Sequence, residues 1–169
     1  MTPASHRRAL RSLRLGIVGF GRLAQHYYAP ALRGMDGIGT ILVADPLDAR
    51  RALARKRLRA GTYGAPRDLL AQEPDALLVA SPPSTHLEIW NDACRAGVPV
   101  FMEKPFVLSG EIARAESSPD ARRLLMIDFG RRFWPVYAQL REMVQEERAR
   151  RWVSQHDPSF EHRFLGYAD

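Results

Sequence analysis

The sequence predicts an α/β fold, in which a doubly wound parallel sheet is followed by only the start of a second, α+β domain. Two observations predict the sheet: short apolar runs recur along the chain, and segments of helical character separate them. Each run is rich in Val, Ile and Leu without polar alternation, which is typical of strands covered on both faces. The runs span residues 13–20, 38–44, 75–80, 98–102 and 124–129.

The segments between these runs predict helices. Residues 25–33 follow a glycine turn, and residues 48–59 are rich in Ala, Leu and Arg without helix breakers. The pattern Thr85-His86-Leu87-Glu88 predicts a capping box at the start of a helix that Gly97 ends. Strands that alternate with crossover helices form a right-handed sheet, and ligands of such sheets bind beyond the carboxyl ends of the strands.

The interval between the second and third runs is the longest one. It has room for an extra short strand near Thr62-Tyr63 and a short helix that begins at Pro66. The stretch Ser117-Ser118-Pro119-Asp120, before the last run, predicts a turn.

The pattern changes after Phe129. The sequence Arg131-Arg132-Phe133-Trp134-Pro135 predicts a break, and residues 136–150 predict a charged helix with one apolar side. A further strand is predicted around Trp152-Val153. We therefore predict a flexible basic leader over residues 1–11, a parallel-sheet domain over 12–130, and a junction, helix and truncated second domain over 131–169.

Length and composition exclude several classes of protein. The chain has 169 residues, of which 46% are hydrophobic and 26% charged, values that exclude collagen-like, low-complexity and wholly disordered chains. No apolar run approaches the roughly 20 residues of a membrane span. The single cysteine, Cys94, excludes an internal disulfide and a zinc module, so we expect a cytoplasmic protein without a metal.

The net charge of +6 comes from 23 arginines and only two lysines, Lys56 and Lys104. The arginines are spread over many segments, so we expect no nucleic-acid partner, although a basic nucleic-acid-binding protein is a third hypothesis for the function. The arginine-rich leader has no acid, which leaves a mitochondrial transit peptide open beside a frayed terminus.

A glycine-rich motif follows the first run. Gly19, Gly21 and Ala24 form G-x-G-x-x-A between a strand and a helix, where the glycines allow a tight turn and a close approach to a pyrophosphate. The second run leads to Asp45, which can bind ribose hydroxyls and repel a 2′-phosphate, or merely start a turn. The glycine motif and Asp45 predict that the domain over residues 12–130 binds a dinucleotide. They favour NAD, while Arg50 and Arg51 leave NADP open as the cofactor.

Two more motifs fall at predicted strand ends. They are Ser81-Pro82-Pro83-Ser84-Thr85-His86 and Ala96-Gly97-Val98-Pro99-Val100-Phe101-Met102-Glu103-Lys104-Pro105. With the glycine turn and Gly130-Arg131-Arg132-Phe133-Trp134-Pro135, they make the chain resemble the Gfo/Idh/MocA family of NAD(P)-dependent oxidoreductases. The resemblance covers residues 13 to about 144 and implies a Rossmann fold and a sugar, cyclitol or related polyol as substrate.

The resemblance also implies roles for individual residues. Lys104 matches the family's catalytic lysine near the nicotinamide, and a lysine at a partly buried sheet edge can have a lowered pKa. Glu103 orients Lys104 or solvates the loop, and His86 has a cofactor, cap or packing role. Arg131 and Arg132 bind a substrate or are structural cations. The implied cofactor-binding residues are Gly19, Phe20, Gly21, Arg22, Leu23, Asp45, Ser81, Pro82, His86, Glu103 and Lys104.

The chain departs from the family after its first helix beyond the sheet. Members continue into a large antiparallel sheet that builds the substrate pocket, and neither His156 nor His162 lies in that domain's Asp-x-x-x-His pattern. The apolar side of helix 136–150 therefore predicts a homo-oligomer, a partner subunit or a mobile tail. Turnover is expected to be weak, and a non-catalytic dinucleotide-binding module or subunit of a larger assembly is the alternative function.

Overall fold

A computed structural model describes residues 12–115 and 124–145 of the chain, and every structural statement below concerns these residues. They contain a six-stranded sheet in the order β3-β2-β1-β4-β5-β6, in which all neighbouring strands are parallel. The predicted doubly wound parallel sheet and the predicted extra strand are confirmed. The strands are β1 (Leu13–Val18), β2 (Ile38–Ala44), β3 (Gly61–Tyr63), β4 (Ala76–Val79), β5 (Val100–Glu103) and β6 (Leu125–Asp128).

Helices connect the strands as predicted. The first connection begins with a π-helical turn, Ala24–Tyr28, which the sequence did not predict. The helix predicted to begin at residue 136 begins at Pro135 and is described as far as Gln145. The helices are α1 (Ala29–Leu32), α2 (Asp48–Leu58), α3 (Pro66–Leu70), α4 (His86–Ala96) and α5 (Pro135–Gln145), and the 3₁₀ segments are Pro83–Thr85, Ser109–Arg114 and Gly130–Phe133.

Both faces of the sheet are covered by apolar side chains. On one face, Leu69 of α3 and Trp90 of α4 pack against the strands, and Trp90 meets Phe106 edge to face at 5.6 Å. On the other face, Ala54 and Leu58 of α2 pack in a second core. Burial on both faces explains why the strands are apolar without alternation.

The start of α4 differs from the prediction. Thr85 stands at the N-cap position, but its side chain makes no capping hydrogen bond. Its hydroxyl lies 2.7 Å from Ser81 Oγ and donates to the carbonyl oxygen of Pro82 at 2.8 Å. The predicted capping box is therefore wrong, because Ser81 and Pro82, in the loop after β4, engage the threonine hydroxyl. The predicted helix end is confirmed, since Gly97 adopts a left-handed conformation with φ of 66°.

The chain divides into two compact units between Asp128 and Phe129. In the second unit, α5 exposes the side chains of Val136 and Leu140, and Trp134 meets Tyr137 at 6.1 Å. The predicted leader, the turn at 117–120 and the strand at Trp152-Val153 lie outside the described residues. No helix in the described part of the chain is long and apolar enough to cross a membrane.

Candidate dinucleotide site

Residues 19–23, here the glycine loop, begin directly after β1. Gly19 has a φ of +87°, and a Cβ there would lie 2.7 Å from the backbone nitrogen of Ser81. Both facts require glycine, because side chains rarely adopt this backbone conformation and the backbone after β4 fills the space. The turn is thereby pressed against the end of the neighbouring strand.

The space around Gly21 is open, whereas the space around Gly19 is crowded. A Cβ at Gly21 would meet only Arg50 Nη1, at 3.9 Å. Arg22 and Leu23, which follow, are exposed. This part of the loop leaves room for a pyrophosphate to approach the backbone at the beginning of a helical segment, as the sequence predicts.

Asp45 connects the glycine loop to the end of β2 through hydrogen bonds. Its Oδ2 accepts a hydrogen bond from the N–H of Phe20 at 2.8 Å, and its Oδ1 accepts one from the N–H of Leu47 at 2.9 Å. The aspartate is 2% exposed and Phe20 is fully buried. Phe20 can therefore meet a dinucleotide only through its backbone. The ribose contact of Asp45 stays a prediction, since a carboxylate can accept more bonds than these two.

The two arginines near Asp45 have different surroundings. Arg51 donates to the carbonyl oxygens of Asp45 and Pro46 at 2.7 and 2.9 Å and pairs with Asp48. Arg50 Nη1 lies 3.5 Å from Asp45 Oδ2, and 44% of the Arg50 side chain is exposed. Arg50 is therefore the arginine that remains available beside Gly21.

His86 joins two loops at the carboxyl edge of the sheet. Its Nε2 lies 3.0 Å from the carbonyl oxygen of Ser81, and its Nδ1 lies 2.9 Å from that of Pro105 and 3.1 Å from that of Phe106. The ring is fully buried. Of the roles considered for His86, packing is the one that this geometry supports: the ring connects the loop after β4 to the loop after β5.

Lys104 directly follows β5, but its surroundings differ from the prediction. We expected partial burial, and the side chain is exposed. The reason is that β5 ends at Glu103, so Lys104 already lies outside the covered part of the sheet. The expected partial burial of Lys104 is therefore wrong, and the assignment of Lys104 to catalysis rests on its position.

Glu103 contacts residues that the sequence did not single out. Its Oε1 lies 2.6 Å from Tyr28 Oη, and the same hydroxyl oxygen lies 2.7 Å from Asp128 Oδ2. Burial, followed by hydrogen bonding to the two carboxyl groups, raises the pKa of Tyr28 well above its ordinary value. The register of β5 with β6 pairs Glu103 with Asp128 at the ends of the two strands, a pairing that the sequence does not show.

The remaining predicted residues have simpler surroundings. Ser81 is half-buried and Pro82 is exposed at the end of β4. Arg131 and Arg132 lie in the 3₁₀ segment Gly130–Phe133 of the second unit, and their side chains are not described. No group of three or more potential metal ligands occurs within the described residues.

Comparison with known proteins agrees with this geometry. Residues 13–121 match the model of an oxidoreductase family with an NAD-binding Rossmann fold. The chain is 36% identical over 137 residues to the rhizopine catabolism protein MocA of Rhizobium meliloti, covering 78% of this chain and 42% of that protein. It is 32% identical over 142 residues to an inositol 2-dehydrogenase of Klebsiella pneumoniae (strain 342), covering 80% and 42%.

Solved structures share the fold. The scyllo-inositol dehydrogenase of Lactobacillus casei with bound NAD(H) and scyllo-inositol superposes with a TM-score of 0.68 at 26% identity, covering 79% of this chain and 41% of that one. The chain thus spans about two fifths of the length of the relatives that it matches.

Proposed function

This chain belongs to the Gfo/Idh/MocA family of oxidoreductases, and we propose that it is the nucleotide-binding part of a dehydrogenase that acts on a sugar, cyclitol or related polyol. Its sheet is an NAD-binding Rossmann domain. The substrate class comes from relatives named inositol 2-dehydrogenase. The reaction is hydride transfer between the nicotinamide and a carbon that bears a hydroxyl group.

One observation carries the proposal: the glycine loop, Ser81 and Lys104 follow three adjacent strands, β1, β4 and β5, at one edge of the sheet. The order of these strands lets one extended ligand pass from the open glycine to the lysine. The crowding of Gly19 against Ser81 and the bonds of His86 to both later loops hold these three segments together.

In this mechanism the dinucleotide supplies or accepts the hydride when it is bound. The backbone of Gly19 to Leu23 would hold its pyrophosphate, and Asp45 its ribose. Ser81 and Pro82 would flank it on the side of β4. Lys104 would hold the proton of the reacting hydroxyl group through Nζ, in the position that the family's lysine occupies. We further propose a cytoplasmic setting, and an oligomer or partner subunit that covers α5.

A fluorescence titration of the chain with NADH tests the site. We expect saturable binding that Gly21→Asp weakens at least tenfold, because the new carboxylate faces the pyrophosphate. Gly34→Asp is the matched control: Gly34 lies between α1 and β2 at the opposite edge of the sheet, where a Cβ would meet only a carbonyl oxygen at 3.8 Å. Equal affinity of wild type and Gly21→Asp would refute the assignment of the glycine loop.

The same titration with NADPH examines the second cofactor. The exposed guanidinium of Arg50 lies beside Asp45, where it offsets the repulsion between that carboxylate and a 2′-phosphate. We expect Arg50→Gln to lower the affinity for NADPH more than the affinity for NADH. A parallel change in both affinities would remove Arg50 from cofactor selection.

A non-catalytic dinucleotide-binding subunit is the second candidate, because the side-chain hydrogen bonds found among the described residues at the carboxyl edge hold the loops around the glycine turn and do not include Lys104. Lys104→Ala separates the two. For a dehydrogenase, the substitution abolishes NAD reduction with cyclitols and leaves NADH affinity within about threefold. For a binding subunit, wild type shows no such reduction and the substitution changes nothing measurable.

A further inference from the structure

A cleft at the amino edge of the sheet lies apart from the dinucleotide site. It is lined by the beginning of β2 and by the ends of α1 and α2. Because β1 and β2 are parallel and the glycine loop follows the end of β1, the beginning of β2 lies at the opposite edge. The volume of the cleft is about 560 Å³. Small-molecule sites in proteins have volumes of roughly 300–1,000 Å³, so the cleft is large enough for a small organic ligand.

Three guanidinium groups line this cleft, here the arginine cleft. Arg33 follows α1, Arg57 lies in the last turn of α2 and Arg59 follows α2. All three residues are exposed, and none of the described residues that line the cleft is acidic. Arg57 donates one hydrogen bond to the carbonyl oxygen of Gln25, at 3.2 Å, which leaves most of its N–H groups for a ligand. Guanidinium groups match the geometry of phosphate oxygens, so the cleft suits a phosphate group.

Arg59 adopts a backbone conformation that arginine rarely takes. Its φ of 52° lies in the left-handed region, where glycine is the usual residue directly after a helix. The end of α2 does not need a further cation, because Arg55, Lys56 and Arg57 already lie in its last turn. Neither local conformation nor the helix end therefore explains an arginine at this position, whereas an anionic ligand in the cleft does.

Apolar side chains supply much of the remaining lining. Ile38 and Ile41 of β2 are half-buried, and Leu32 of α1 and Leu58 of α2 are buried. Inorganic phosphate could contact only the charged part of such a lining. An organic phosphate could place its phosphate group on the arginines and its apolar group on the isoleucines, and so use both parts.

We propose that the arginine cleft binds a small phosphate monoester whose organic group is apolar. Arg33, Arg57 and Arg59 hold the phosphate group, and Ile38 and Ile41 contact the organic group. The site is separate from the dinucleotide site, and it does not rest on the proposed function.

Isothermal titration calorimetry of the full chain with phenyl phosphate tests the site. We expect saturable binding that Arg33→Gln and Arg59→Gly each weaken by about fivefold or more, because each substitution removes one guanidinium group. Lys56→Gln is the matched control. It removes one exposed cation of α2 that does not line the cleft, and it should change the affinity by less than about twofold.

Urea unfolding of Arg59→Gly supplies a second readout. Glycine adopts the left-handed conformation without strain, so this variant should unfold at the same urea concentration as wild type or at a higher one, although it binds phenyl phosphate less tightly. A purely structural role of Arg59 predicts the reverse: a lower unfolding midpoint with unchanged affinity for phenyl phosphate.

Three results would overturn the proposal. The first is a wild-type chain that does not bind phenyl phosphate. The second is an equal loss of affinity in Lys56→Gln, which would show attraction by the net charge of the chain. The third is equal affinity for inorganic phosphate and phenyl phosphate, which would remove the apolar contact.

Gly21→Asp distinguishes the arginine cleft from the dinucleotide site. The substitution changes the glycine loop at the opposite edge of the sheet, so it should leave the affinity for phenyl phosphate unchanged. If Gly21→Asp abolishes the binding, the phosphate group is held by the glycine loop and the proposal is wrong.

Discussion

The two halves of the carboxyl edge are held together in different ways. In the half formed by β1 and β2, a carboxylate binds backbone: Asp45 accepts from the N–H groups of Phe20 and Leu47. In the half formed by β4, β5 and β6, side chains carry the connections. The ring of His86 joins the loops after β4 and β5, and the hydroxyl of Tyr28 joins Glu103 to Asp128.

This difference shows that a carboxylate can connect segments of the chain either through backbone N–H groups or through another side chain. Asp45 has one backbone donor for each oxygen, and Arg50 lies 3.5 Å away. Glu103 and Asp128 together have one phenol. The first arrangement suits a loop whose shape must be constant, and the second links three segments of the chain through one hydroxyl group.

The largest expected effect is in the first half. Asp45→Ala leaves the buried N–H group of Phe20 and the part-buried N–H group of Leu47 without acceptors, at a cost of about 1–3 kcal/mol each, so we expect the free energy of unfolding to fall by about 4 kcal/mol. Urea unfolding of wild type and the variant measures this change in the free energy of unfolding. Asp36→Ala, at an exposed aspartate, is the control and should change stability by no more than about 0.5 kcal/mol. Similar losses for the two variants would contradict the anchoring role of Asp45.

A smaller loss is expected from His86→Ala in the second half. The substitution removes a fully buried ring that contacts three carbonyl oxygens, and we expect a loss of about 3 kcal/mol. The matched control is His26→Ala, which removes an exposed histidine. If both histidine variants unfold at the same urea concentration, the two loops are joined by other contacts.

The smallest effect concerns Tyr28 at alkaline pH. Its folded pKa is raised above the unfolded value of about 10, so the folded chain keeps a proton that the unfolded chain releases. Stability is therefore present below pH 10 and is lost as the pH rises above it. Tyr28→Phe has no such proton, so its unfolding midpoint should fall less between pH 8 and pH 11 than that of wild type. Tyr27→Phe should follow the wild type, and an equally steep fall in Tyr28→Phe would contradict the assigned shift.

Prediction from sequence succeeded where the signal is local. The strands β1, β2, β4, β5 and β6 follow from apolar runs, and Gly19 from the spacing of a turn between strand and helix. The prediction of a capping box failed at Thr85 because a capping pattern does not reveal that the hydroxyl has competing partners in Ser81 and Pro82, in the loop after β4. The predicted partial burial of Lys104 was wrong because burial depends on where the strand ends relative to its neighbouring strands.

The sequence by itself determined the family and the parallel sheet, and it predicts the edge at which we propose that a dinucleotide binds, because strand periodicity and short motifs need only neighbouring residues. Only the tertiary structure decided which partners the polar groups have. Tyr28 and Asp128 are separated by 100 positions, and their contact depends on the π-helical turn and on the register of β5 with β6. Partners so far apart leave no local pattern. The sequence therefore does not distinguish Asp45, which is held by backbone N–H groups, from Glu103 and Asp128, which share the hydroxyl of Tyr28.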